Sequence, residues 1–261
     1  MTEREYRSHP AISRSELWKI HDSPEKFKWA MEHPEPPTPS LLFGQAVHKL
    51  VLLPDEFDRE FAVLPTVDGR TKEGRAAKEQ FLQESADKTI INADMLNQAV
   101  DMRDALYKAP FVKRLLSGER EKPYFWTDEL TGEACKCRVD CITRVGEKTV
   151  VVDYKSTADA SGEAFMRDAV KYGYTLQAGM YLEGTKADSF VFIAQEKEPP
   201  YSVNILEADA VFVQKGRDIF RELIGIYHHC KETNNWYGLL GPYNMINSLA
   251  LPAWLVKEEY K

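Results

Sequence analysis

The segment TVVVDYKST, residues 149–157, constrains the fold of this chain more than any other. Three consecutive valines mark a strand buried on both faces, yet an acid and an amine follow at once. Charge taken out of water is costly unless it is paired or bound to metal. Successive side chains on a strand point to opposite faces, so Asp153 and Lys155 share one face and Tyr154 takes the other. A carboxylate and an ammonium are therefore expected side by side at the end of a core strand. A D-x-K triplet alone is common and reads first as a structural ion pair, so its surroundings must decide.

A second acid, Asp140, lies one hairpin upstream in RVDCITRVGEKTVVVD. A turn around Gly146 would bring the two carboxylates together, with no clear arginine partner inside the motif. Such a pair suits a hard cation such as Mg²⁺, which binds through one or two carboxylates plus water and phosphate oxygens. Lys155 beside them would position and help deprotonate a water, or neutralise charge developing on a phosphate. Two further pairs follow helix geometry. In LLFGQAVHKLV, Gly44 and His48 lie one turn apart on one face, and Gly44 is expected to let another element approach closely where the imidazole emerges. In TLQAGMYLEG, Gln177 and Tyr181 stand at i and i+4.

The first third of the chain reads as helices. Ser13 and Glu16 have the spacing of a capping box opening SELWKIHD, and Ser23 with Pro24 opens PEKFKWAMEH. Ser40 is expected to cap LLFGQAVHKLVLL, which Pro54 closes. Further helical patterns run from about 72 to 85 and from Asn92, a candidate cap, into DALYKA. From Glu121 the period becomes alternating: PYFWTDE and EACKCRVDCITRV flank LTG, a hairpin signal. Helical EAFMRDAVKYG and TLQAGMYLEG, strands SFVFIAQE and YSVNILE, and a long helix from about 208 to 232 complete the pattern. This order predicts an α/β fold with a mixed central sheet flanked by helices. One domain is expected over 1–261, with a helical part at about 1–118 packing on a catalytic α/β core at about 119–235, and a tail at 236–261.

The chain carries 34 Lys plus Arg against 41 Asp plus Glu, a net charge of −7, which argues against a uniformly basic coat for nucleic acid. No run approaches the roughly 18 apolar residues of a membrane span, and the charged start MTEREYRSHPAIS is unlike a signal peptide. The expected location is the cytoplasm, with no membrane partner. Cys135, Cys137, Cys141 and Cys230 are too few and too unevenly placed for a disulfide framework. Cys135, Cys137 and Cys141, with Val139, alternate onto one strand face as small core residues, leaving Arg138 and Asp140 on the other. His228 and His229, adjacent on a helix, diverge and are not expected to bind metal.

Asp140 followed by Asp153, Tyr154 and Lys155 resembles the PD-(D/E)xK nuclease superfamily, in which an acid on one hairpin strand and a D/E-x-K on the next hold the metal. Val139 stands where the literal motif has proline. Gly44 and His48 as G-x-x-x-H, and Gln177 and Tyr181 as Q-x-x-x-Y, are similar to the RecB-like branch. Over essentially the whole chain, including KAPFVKRLL, GEACKCRVD, VVVDYKST and YTLQAGMY, the sequence resembles the C-terminal nuclease domains of the exodeoxyribonuclease VIII (RecE) family. The resemblance implies a restriction-endonuclease-like core. It implies that His48, Asp140, Asp153 and the backbone carbonyl of Tyr154 hold one or two Mg²⁺ ions, with Mn²⁺ as a substitute. Lys155 would orient the attacking water, and Gln177 and Tyr181 would help hold the DNA and the site. The family's activity would be exonucleolytic, degrading one strand of linear duplex DNA 5′→3′ to mononucleotides and leaving a 3′ single-stranded tail for recombination and repair. A ring-shaped homotetramer and a RecT-type single-strand annealing partner, in a prophage setting, are implied with it. A RecB-like nuclease of other polarity, an endonuclease, and a non-catalytic DNA-binding or assembly module remain the other readings.

Basic residues concentrate between Arg70 and Arg120. Arg70, Lys72, Arg75 and Lys78 lead into one helix, and Lys108, Lys113 and Arg114 surround another. Each is a candidate for backbone phosphate or for a solvated helix face. Arg138, on the Asp140 side of its strand, is a candidate for phosphate or for an acid. The apolar end, with Leu249, Leu251, Trp254, Leu255 and Val256, is expected to dock on the parent domain or on a second subunit.

Overall fold

The computed structural model of the chain describes residues 1 and 3–250, apart from 244 and 247. In chain order the elements are α1 (Glu3–Ser8), β1 (Ile12–Ser13), α2 (Arg14–Asp22), α3 (Pro24–Glu32), α4 (Pro39–Leu52) and, after a 3-10 turn at Pro54–Glu56, α5 (Phe57–Glu60). Next come β2 (Phe61–Val63), α6 (Lys72–Glu84), β3 (Thr89–Ile91), α7 (Ala93–Leu106), α8 (Pro110–Leu115), β4 (Glu119–Thr127), β5 (Ala134–Val145) and β6 (Lys148–Thr157). The chain continues with α9 (Gly162–Lys171), α10 (Tyr174–Thr185), β7 (Ser189–Glu196), β8 (Val203–Glu207) and α11 (Ala210–Thr233).

The capping signals act as the sequence suggests at three helices. Ser13 and Glu16 form a complete capping box on α2, Ser23 caps α3, and the Asn92 side chain accepts from Met95 N at 2.8 Å on α7. At α4 the cap is Thr38, not Ser40. Its hydroxyl accepts from Leu41 N, because Pro39 has its φ preset for the first helical position and so starts the helix one residue before Ser40. The short parallel pair of β2 and β3 has three residues on each side, too few for a period to show in sequence.

The main sheet has the order β1-β5-β6-β7-β8, with β4 on the other edge of β5. β4 runs along one edge of β5 from Thr127↔Ala134 to Glu119↔Ile142. The opposite edge is shared. β6 pairs antiparallel with residues 141–145, β1 pairs parallel with Cys135 and Lys136, and residues 137–140 between them pair with neither. β6 goes on to pair in parallel with β7 from Val150 to Thr157. The sheet therefore parts between β5 and β6 just beyond the Cys141↔Val152 pair.

Three apolar clusters hold the layers. On one face Val150, Val152, Tyr154, Val191 and Ile193 pack under α4, α7 and α8. On the other, Val139, Val151, Phe190 and Phe192 pack against α9, α10 and Val213 of α11. α2, α3, α10 and α11 close a third cluster around Leu17, Leu176, Met180 and Phe220. The valine run is thus buried on both faces, as its composition requires. The cysteines are buried and free, but they do not share one face: Cys137 packs with Val151, whereas Cys141 packs with Val150 and Val152. Alternation reverses at Asp140, level with Glu121, whose φ is +49°. His228 Nδ1 lies 3.0 Å from Glu133 Oε1. No helix among the described residues is long and apolar enough to cross a membrane. Leu249 is fully exposed, and Leu251, Trp254, Leu255 and Val256 lie outside the described residues.

α10 and α11 cross in backbone contact. A Cβ on Gly216 would stand 1.9 Å from the Thr175 carbonyl oxygen, and one on Gly179 would stand 2.4 Å from Arg217 N. This contact fixes α10, and with it Gln177, against the sheet. Gly216→Ala is expected to destabilise the protein by about 1–3 kcal/mol through overpacking, read as a lower urea midpoint. Gly225→Ala on the same helix meets nothing within 4 Å and is expected to be neutral or to stabilise by up to about 1 kcal/mol through helix propensity.

Candidate active site

The parting of β5 and β6 leaves backbone donors to be satisfied, and a side chain does it. Tyr154 N–H, next in line after the last ladder pair, donates to Asp140 Oδ2 at 2.8 Å. A residue's N–H and C=O face the same side of a strand, so the Tyr154 carbonyl also opens toward the gap. The Tyr154 ring is buried on the opposite face from Asp153, where its hydroxyl donates to Gln195 Oε1 at 2.7 Å.

Asp153 is 1% exposed, and its two oxygens are divided between two elements. Gln177 Nε2 of α10 donates to Oδ1, while Oδ2, buried and without a well-aligned hydrogen-bond donor, meets the Lys155 ammonium in an ion pair. Lys155 also lies over the Tyr174 ring at 5.1 Å. From the other side α4 brings His48, whose Nε2 is 2.8 Å from Asp140 Oδ2 and whose Nδ1 is 3.5 Å from Glu121 Oε1. Arg138 Nε lies 2.7 Å from Glu121 Oε2, and its guanidinium sits over the Tyr6 ring at 5.1 Å.

Three acids thus converge on one histidine, one lysine and one arginine. Burial works against the His48 imidazolium, but Asp140 beside it outweighs this and raises its pKa; Asp140, held by the same contact against its own burial, is lowered. Asp153 is pushed up by burial and by Asp140, against the pull of Lys155. Glu121 is pushed up by burial and, again, by Asp140. Lys155 is raised, its two acids outweighing burial. Glu121 and Asp153 are carboxylates whose ionised forms lack sufficient positive charge nearby, the condition a bound divalent cation relieves. Among the described residues His48, Glu121 and Asp140 form a group whose ligand atoms all lie within 4.8 Å of one another. One imidazole with carboxylates is a donor set that fits a hard divalent ion.

The structure brings together His48, Asp140, Asp153, Tyr154, Lys155 and Gln177, and Tyr181 lines the larger of two cavities beside them. Arg138 faces this site as an acid partner of Glu121. Gly44 has a different part from the one expected. A Cβ there would come no closer than 4.0 Å to Ser156 Oγ, so the glycine admits no tightly packed neighbour and instead leaves a cavity wall open. Arg70, Lys72, Arg75, Lys78, Lys108, Lys113 and Arg114 are exposed and line neither cavity. Besides Lys155, the lysines and arginines that do are Arg7, Arg14, Lys19, Lys49, Lys136 and Arg138. Lys49 is held by Glu60 at 2.8 Å, and Lys136 donates to the carbonyls of Tyr6, Arg7 and His9. Arg14, the first residue of α2, donates to the Tyr172 carbonyl, while its buried Nε has no acceptor.

Sequence reasoning missed Glu121. It sits in EREK, which reads as the solvated edge of a strand, and only its left-handed backbone turns its carboxylate into the gap. It also missed Arg14, whose capping box predicts a helix start but not the cavity beside it.

The sequence matches, over residues 13–247, a family described as a PDDEXK-like domain of unknown function (DUF3799). No curated protein matches the chain in sequence. Among solved structures, a Eubacterium rectale protein described as a "Putative exonuclease" is 13% identical, with a TM-score of 0.64 over 97% of this chain and 96% of that one. A phage related exonuclease from Haemophilus somnus 129PT is 12% identical, with a TM-score of 0.39 over 89% of this chain and 100% of that one. The first likeness extends the PDDEXK-like fold, a mixed sheet between helices, to nearly the full length of the chain. With the family match spanning almost all of its sequence and the acids placed where its sheet parts, the chain belongs to the PDDEXK-like family DUF3799.

Proposed function

We propose that the chain is a metal-dependent nuclease that degrades linear duplex DNA from its ends. The observation that carries this reading is the convergence of His48, Glu121, Asp140, Asp153 and Lys155 on the gap between β5 and β6. His48, Asp140, Asp153 and the Tyr154 carbonyl, with Glu121, would hold the cation, Mg²⁺ or Mn²⁺. When bound, the ion neutralises the scissile phosphate and lowers the pKa of water in contact with it.

The chain's own residues do the rest. Asp153 holds the Lys155 ammonium at the mouth of the site, where it orients a water and offsets charge developing on the phosphate. Gln177 fixes the rotamer of Asp153 by taking its other oxygen, so the carboxylate is preorganised without a second charge. Arg7, Arg14 and Lys19 along the cavity wall supply contacts to backbone phosphates. Tyr181 closes the cavity beside Gln177.

Polarity and setting extend the same reading. The resemblance to the exodeoxyribonuclease VIII family, and not the geometry of the site, carries 5′→3′ removal of mononucleotides, a 3′ single-stranded tail for an annealing protein of RecT type, and a ring-shaped homotetramer. The description of the Eubacterium rectale neighbour as a "Putative exonuclease" favours attack at ends over attack within the strand.

With linear duplex labelled at one 5′ end, degradation is expected to require added Mg²⁺ and to stop with EDTA. Asp153→Ala and Lys155→Ala are each expected to reduce the rate at least about 100-fold with unchanged circular dichroism; normal degradation by either overturns the assignment. Covalently closed circular duplex should survive, and its cleavage would make the enzyme an endonuclease. Glu121→Gln is expected to raise the Mg²⁺ concentration for half-maximal rate about 10-fold, and an unchanged requirement would remove Glu121 from the site.

A further inference from the structure

A groove of about 410 Å³ runs between α2 and α3 beside the larger cavity. The two adjoin: Lys19, Ala30 and Pro34 line both, and the larger cavity reaches Asp140, Lys155 and Gln177. On the groove stands Trp29, 63% exposed, its ring stacked on His33 with centroids 3.6 Å apart and planes 14° apart. The core does not require this tryptophan. α3 packs through Phe27, which is buried and stacked on Trp236 at 5.3 Å. Trp29, two residues on, is turned about 200° around the helix axis. Met31, 48% exposed, extends the apolar rim toward the larger cavity, which it also lines.

From these features we infer that the groove receives unpaired bases of a single DNA strand running to or from the catalytic gap, with Trp29 backed by His33 as the stacking platform. Charge narrows the choice of occupant. Lys19 and Lys26 line the groove, but so do Asp22 and Glu35, so its formal charge is balanced and attraction for phosphate alone does not select the ligand. What the groove offers in excess is an exposed aromatic face. In a duplex the base faces are covered by stacking on one another, whereas a single strand presents them, and aromatic side chains bind them with little regard to sequence. Lys19, at the junction of groove and cavity, is placed for the backbone of the same strand.

The inference rests on the proposed nuclease reading, and its test is independent of cleavage. The full chain is titrated in EDTA with a single-stranded oligonucleotide carrying 2-aminopurine, whose fluorescence falls when it stacks. Wild type is expected to bind and quench the probe. Trp29→Ala should weaken binding about 10-fold and abolish most of the quench, Trp29→Phe should keep both largely intact, and blunt duplex should bind Trp29→Ala as it binds wild type. Equal affinity and quench for Trp29→Ala, absence of single-strand binding by wild type, or equal weakening for blunt duplex would each overturn the inference. Degradation of labelled duplex in Mg²⁺ by the wild-type enzyme tests the nuclease reading separately. An active nuclease with an indifferent Trp29 would sink the groove alone.

Discussion

At Asp140 the antiparallel ladder between β5 and β6 ends, and a carboxylate takes the Tyr154 N–H that a strand would otherwise take. The whole site depends on that substitution. It keeps a buried donor satisfied where the sheet opens, which avoids the cost of an orphaned backbone group. It also fixes an acid in the gap, one strand away from Asp153. β1, pairing farther along the same edge of β5, makes the opening a window in the sheet and not a frayed end.

The charges around the window come from both sides of the sheet. α4 packs on one face and delivers His48; α10 packs on the other and delivers Gln177 to Asp153. Each helix is held by contacts outside the window, α4 by its apolar face and α10 by its close crossing with α11. The acids therefore have little freedom to move apart and relieve their mutual repulsion. Lys155 compensates one of them and His48 and Arg138 the others, and a divalent cation would complete the balance.

Much of this was legible in the residues. The valine run with its D-x-K ending fixed which strand is central and which side chains share a face, and the hairpin spacing placed Asp140 beside it. Helix spacing put Gln177 on one face with Tyr181, and the resemblance to RecB-like nucleases assigned that face to the site. What could not be read was whatever depends on a break in periodicity. Glu121 enters the site through a left-handed residue in a strand, and Cys141 changes face at the same level, because alternation cannot announce its own reversal. The cations at the cavity were not legible for a related reason: Arg70 to Arg114 is dense in charge along the chain, but Arg7, Arg14 and Lys19 are gathered at the cavity by folding. A net charge of −7 is compatible with that arrangement, since a few cations at one cleft suffice while acids cover other surfaces.

The central claim is that the parted sheet is a metal site. Crystals grown or soaked with Mn²⁺ and measured at a wavelength where manganese scatters anomalously test it most directly. The account predicts an anomalous peak in the gap between β5 and β6, in contact with Asp140 and Asp153 and within reach of His48 and Glu121. A gap without such a peak at millimolar Mn²⁺, or manganese bound only elsewhere on the chain, would contradict it.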